Sequence, residues 1–185
     1  MLKDIDDSRK LDSIFNDYLE MNKIPNLLRP KLLSSSNWPK HQKQHFVKPR
    51  AMESFSLLFR DFCQNFGFKE TLNFSHNIGS VVINADFDNC RNVKIVASPL
   101  QASILILLDS LNSITIVEML NILKVDSVVF KRELKPLVHT RFCGILLKSP
   151  SKGYDPSHVL SVNKSCYPKE NKITLPFGTT WFADD

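Results

Sequence analysis

Glycine is scarce in this 185-residue chain, with five in all. No G-x-x-x-x-G-K-[ST] loop is present to cradle a phosphate, and there is neither a G-x-S-x-G elbow nor an H-E-x-x-H pair. The expectation is therefore a chain that is not an enzyme, with no catalytic residue and no cofactor to assign. Cysteine is nearly as sparse: Cys63, Cys90, Cys143 and Cys166 lie far apart and none forms a C-x-x-C pair, which speaks against a thiolate zinc site and against a disulfide framework. Free thiols in a reducing compartment are expected. No run of 18 apolar residues exists, because the longest candidate, Ile104 to Leu111, is cut by Asp109 and Ser110; a membrane span is not expected. The start, Met1-Leu2-Lys3-Asp4, carries charge in its first turn and lacks the apolar segment of a secretory signal. A cytoplasmic or nuclear setting follows as the expectation.

What is there has the balance of a globular protein, 43% hydrophobic and 23% charged, with length for one good core or two small ones. The net charge of +5 gathers in two places. Lys31, Lys40, Lys43 and Lys48 with His41 and His45 make a basic connecting stretch, and Lys131, Arg132, Lys135 and Arg141 make a second basic face. Either suits nucleic acid or an acidic protein, although a solvated surface is the commoner meaning of such runs. His41 and His45 are four apart and would share one face of a helix, yet no third ligand follows at a useful spacing, so no metal is assigned.

The most regular stretch runs from Val93 to Lys148. A short strand, Asn92 to Ala97, leads into three helices and a closing strand, Gly144 to Lys148. Ser98 reads as an N-cap with Pro99 in the first turn, and Ile104, Leu105, Leu107, Leu108 and Leu111 are apolar nearly all round, which marks a buried helix. Thr115 with Glu118 has the spacing of a capping box. Asp126 opens the third helix, with Val129, Phe130, Leu134, Leu137 and Val138 as its stripe and Pro136 near its end, where proline kinks or stops a helix. The order β-α-α-α-β is that of a winged helix, with a turn-rich wing tip at Ser149 to Pro156 and a returning strand at His158 to Asn163.

Upstream, Leu2, Ile5, Leu11, Ile14, Phe15 and Tyr18 recur at spacings of three and four, so residues 1–22 read as an amphipathic helix whose apolar face needs a partner. Pro25 and Pro30 punctuate a linker, and Lys31 to Ser35 reads as a short strand before Asn37-Trp38-Pro39. Trp38 is open to two readings, a partner-facing anchor and a packed loop tryptophan. Glu53 to Phe66, with Phe55, Leu58, Phe59 and Phe62, is a strong amphipathic helix ended by Gly67. Its aromatic stripe is expected to pack on a three-stranded meander formed by Thr71–Ser75, Ser80–Phe87 and Asn92–Ala97. The fold class is α+β: a small α/β layer of helix on antiparallel sheet, followed by a winged-helix domain, with an N-terminal helix left over. The divisions fall at 1–22, 23–97, 98–178 and a tail at 179–185.

Several ordered motifs carry a resemblance. Gly79, Ala85 and Phe87, then Val96, Ser98, Gln101 and Leu105, are similar to the patterns G-x-x-x-x-x-A-x-F and V-x-x-S-x-x-Q-x-x-x-L in the C-terminal half of cullins. Met1-Leu2-Lys3-Asp4-Ile5 with Ser8 is similar to the family's M-F-K-D-M-x-x-S, and Leu33-Ser34-Ser35-Ser36-Asn37-Trp38-Pro39 to its L-S-S-G-x-W-P. Lys172 to Leu175 is similar to a short strand that follows the wing. The chain thus resembles the cullin homology region, of either a regular cullin or the cullin-like subunit of the anaphase-promoting complex.

The resemblance implies a scaffold fragment of a cullin-RING ubiquitin ligase. Its first helix would belong to a helical bundle whose other helices lie upstream in the family, and its start would be internal there, so a piece of a longer protein or a truncated product is expected. The partner implied is a RING-box-type protein that adds a strand to the sheet of the α/β layer, and through it, indirectly, a ubiquitin-conjugating enzyme. Leu32, Leu33, Ser34, Trp38, Pro39, Val81 and Ile83 are the candidate contacts. The family's second winged helix, with its V-R-I-M-K-x-R-K lysine motif, has no counterpart in this sequence, and no membrane partner is implied. The alternative is a stand-alone winged-helix nucleic-acid binder using Lys131, Arg132 and Lys135. Glu133 beside them and Pro136 one turn on weigh against it.

Overall fold

The computed structural model describes residues 2–31, 45–66, 75 and 79–176. Helices and small sheets are mixed, as the α+β reading expects, and the chain divides into two compact units, 1–42 with 51–74 and 43–50 with 75–185.

The first unit is a helix pair. Helix α1 (Leu2–Met21) buries Leu11, Phe15 and Leu19, spaced by four so that they stack on one face. Helix α2 (Arg50–Asn65) answers with Phe59, Phe62 and Cys63. The Phe15 ring meets Phe59 edge-on at 5.1 Å and Phe62 at 4.9 Å, the arrangement that the ring quadrupole favours. Lys23, at φ 55°, ends α1, and the Ile24 N–H turns back to the Leu19 carbonyl at 2.9 Å. Ile24 and Leu28 then close over the same core.

Two expectations need correction here. The apolar stripe of α1 is not left without a mate, because α2 covers it, and the aromatic stripe of α2 meets α1 where a sheet was expected. Periodicity shows that a face will be buried but carries no address for its partner. Gly67 lies outside the described residues.

The second unit begins with a hairpin. Strands β1 (Val81–Phe87) and β2 (Cys90–Ala97) pair antiparallel, with Val81 opposite Ala97 and Ile83 opposite Ile95. The expected third strand of a meander, Thr71–Ser75, lies outside the described residues except for Ser75, which is in no strand. In its place β6 (Lys172–Thr174), seventy-odd residues further on, joins the other side of β2 in parallel, Ile173 beside Ile95. The described order is β1-β2-β6.

Helix α3 (Pro99–Leu111) packs on this sheet and buries Leu100, Ile104 and Leu108. Its start is as read: Ser98 caps it with Pro99 at the first position, and Gln101 completes a capping box. Thr115 and Glu118 cap α4 (Ile116–Leu123) in the same way, and Asp126 accepts from the Val128 and Val129 N–H groups to cap α5 (Ser127–Val138). Pro136 lies in the last turn of α5, which stops two residues later. A short strand unforeseen in the sequence, β3 (Ser113–Thr115), joins β4 (Leu146–Ser149) and β5 (Val159–Val162) in the order β3-β5-β4.

Candidate partner-docking edge

Strand β1 owes its form to simple alternation. Val81, Ile83 and Ala85 turn to the α3 side and are half-buried, while Val82, Asn84 and Asp86 are exposed. Asp88 and Asn89 make the turn, and the Asp86 carboxylate accepts from the Asn92 N–H at 2.8 Å, clamping the hairpin where Asn92 takes a positive φ of 56°. Beside Ile83, Ile95 is 2% exposed and Ile173 5%; the apolar row is sealed at β2 and β6 and half-open at β1. Among the described residues β1 pairs on one side only. An unpaired strand side of this kind carries backbone donors and acceptors in register, the chemistry that accepts an added strand.

Of the predicted contacts, the structure brings Val81 and Ile83 together on β1, both on its inner side. Leu32, Leu33, Ser34, Trp38 and Pro39 lie outside the described residues.

Behind the sheet, a buried polar network ties the start of α3 to α5 and to the segment after β6. The Ser98 hydroxyl accepts from the Gln101 N–H at 3.1 Å and donates to Glu133 Oε2 at 2.8 Å. Gln101 Oε1 accepts from the Ser98 N–H at 2.9 Å, and its Nε2 donates to the Pro176 carbonyl at 3.0 Å. Glu133, on α5, is buried, and Arg132 satisfies its other oxygen with Nε at 3.3 Å and a terminal nitrogen at 3.2 Å. One pair of side chains at the start of α3 thus ties together α3, α5 and the segment that follows β6. Burial of a carboxylate is tolerable only with such company.

That network reorders the second basic face. Arg132 is spent on Glu133. The Lys131 ammonium sits 5.4 Å from the Tyr154 ring centroid, and the Arg141 guanidinium 6.0 Å from that of Phe142, both within cation–π range. Sequence reasoning named Glu133 only as a charge beside the basic residues. Its hydroxyl partner stands 35 residues away, and no local spacing announces it.

The cysteines are also better acquainted than their spacing suggests. Residues 143–145 and 163–166 lie side by side, the Asn163 side chain donating to the Gly144 carbonyl at 2.8 Å and the Asn163 N–H to the Ile145 carbonyl at 2.9 Å. Burial first, then the neighbouring Cys143 and Cys90 thiols, push Cys166 up to about 12. All four cysteines are free, and no cluster that could hold a metal ion occurs among the described residues. On β4, Lys148 donates to the Pro150 carbonyl at 2.6 Å and lies 3.3 Å from His158 Nδ1; partial burial lowers its pKa. No described helix is long and apolar enough to cross a membrane.

A sequence model for the cullin alpha+beta domain matches residues 32–166. Among curated proteins, Cullin-4 of Caenorhabditis elegans is 26% identical over 126 residues, covering 68% of this chain. The chain spans 15% of the length of that relative.

Proposed function

Because the chain belongs to the cullin family, we propose that it acts as a non-catalytic scaffold fragment of a cullin-RING-type ubiquitin ligase, carrying the region on which a RING-box-type protein docks. The observation that carries this reading is the β1 edge, a seven-residue strand paired on one side among the described residues, with Val81 and Ile83 half-open beneath it. An extended segment of the RING protein adds to β1, backbone hydrogen bonds supplying affinity and the alternate apolar side chains specificity. The helical part, α3 to β5, is read as a winged helix that braces the sheet. Transfer chemistry belongs to the conjugating enzyme that the RING protein recruits, and the scaffold contributes proximity. The setting is cytoplasmic, nuclear or both, and the subtype, regular cullin or cullin-like subunit of the anaphase-promoting complex, is decided by which RING protein binds.

Co-expression with a RING-box-type protein tests this. A stable complex at micromolar concentration is expected, with backbone amides of β1 gaining protection from hydrogen exchange. Failure to form the complex, or protection that leaves β1 untouched, overturns the reading.

The nucleic-acid alternative has one observation in its favour, the exposed Lys131 on α5. With Arg132 occupied by Glu133, too few free cations remain there for the several phosphate contacts that make duplex binding steeply salt-dependent. Measurable binding to random duplex at low salt, lost at physiological ionic strength, would revive it.

A further inference from the structure

The sheet β1-β2-β6 has α3 on one face. Register defines the other as two rows: Val82, Val96 and Thr174, then Asn84, Lys94 and Lys172. Val82 is 58% exposed, Val96 is half-buried, and Asn84, Lys94, Lys172 and Thr174 are exposed. The face is therefore an apolar strip beside a basic one. Lys94 and Lys172 stand directly abreast on neighbouring strands, a placement that weakens a ladder unless something else compensates it. Among the described residues neither lysine is paired with an acidic side chain. Asp86 lies one row further on, its carboxylate already accepting from the Asn92 N–H.

We propose that this face docks an acidic amphipathic helix of a partner protein. Its apolar stripe lies along Val82 and Val96, and its carboxylates reach Lys94 and Lys172. A helix on each face of a sheet is one of the stable layer arrangements, and the net charge of +5 draws an acidic partner in. The rows hold no aromatic residue on which a base could stack, which disfavours a nucleic acid on this face. The surface is distinct from the β1 edge: strand addition uses the backbone of β1, whereas this docking uses side chains that project from the sheet.

The test is an NMR titration of the isotope-labelled full chain with a synthetic helical peptide of leucine, alanine and glutamate, and with its glutamine counterpart. Amides of Val82, Lys94, Val96, Lys172 and Thr174 should shift, and the glutamine peptide should bind more weakly. Lys94→Glu with Lys172→Glu should weaken binding at least about fivefold, two exposed ion pairs being lost and reversed. A control with the same charge change elsewhere, Lys10→Glu with Lys31→Glu, should leave it unaltered. If the double charge reversal does not fold, as its amide spectrum will show, Lys94→Gln with Lys172→Gln carries the same comparison. Shifts confined to other surfaces, an equal loss in the control, or tighter binding of a single-stranded oligonucleotide at the same salt overturns the proposal.

Discussion

At the scale of single residues the most consequential side chain is Ser98, which accepts from its own helix and donates to a buried carboxylate 35 residues away. Ser98→Ala removes an N-cap and strips Glu133 of a partner, and should cost about 1–3 kcal/mol in denaturant unfolding. Leu108, fully buried on α3, should cost about 2–5 kcal/mol as alanine. A loss below about 0.5 kcal/mol would put it on the surface. Cys166 makes a prediction in pH. Its folded value, about 12, lies above the ordinary 9.0, so the stability it brings is complete below 9.0 and fades as pH rises from 9.0 towards 12. Cys166→Ala should flatten the alkaline fall in stability, and an unchanged slope would assign that fall to other groups. Glu118 and Asp155 act at the acid end. Hydrogen bonds from Thr115 and Ser157 hold them below the ordinary carboxylate range, so what they contribute is present at neutral pH and lost on acidification. The caps were legible because a capping box is contained within four residues; the Ser98–Glu133 bond was not, since it closes only when α3 and α5 pack.

At the scale of elements, α1 and α2 stand or fall together. Phe15 is fully buried between Phe59 and Phe62, and Phe15→Ala should cost that helix pair about 3–5 kcal/mol. Deleting residues 1–22 should expose Phe59, Phe62 and Cys63 and drive self-association, read by light scattering; a monodisperse product of unchanged stability would show that α2 finds another cover. The strand β6 teaches the same lesson from the other side. Its three residues are too few to show alternation, and it was noticed through resemblance. Only the parallel pairing with β2 makes it part of the sheet.

For the whole molecule the two compact units set an expectation about cooperativity. Damage in the helix pair should stay there: in Phe15→Ala, hydrogen exchange should accelerate across α1 and α2 while the amides of α3, α4 and α5 keep their protection. Uniform acceleration would mean that the chain unfolds as one body. A RING partner added at β1 should give the converse pattern, stabilising 79–176 by mass action in proportion to its free concentration.

Local sequence marks which segments form helices and, for α3, α4 and α5, where they begin, because periodicity and caps act over four to eight residues and are complete within them; α2 starts at Arg50, three residues before the Glu53 that its stripe indicated. The sequence determined the family as well, since Gly79, Ser98 and Gln101 keep their spacing. Tertiary structure alone decided which faces meet: α1 with α2, β6 beside β2, Ser98 with Glu133, and Cys143 near Cys166. Each of these is a contact between groups distant in sequence, chosen by shape and by the need to satisfy buried polar atoms once the chain has closed on itself. The half-open row at Ile83 is a product of that closure too, since whether an alternating strand lies at the centre of a sheet or at its edge is settled by its neighbours and not by its own residues.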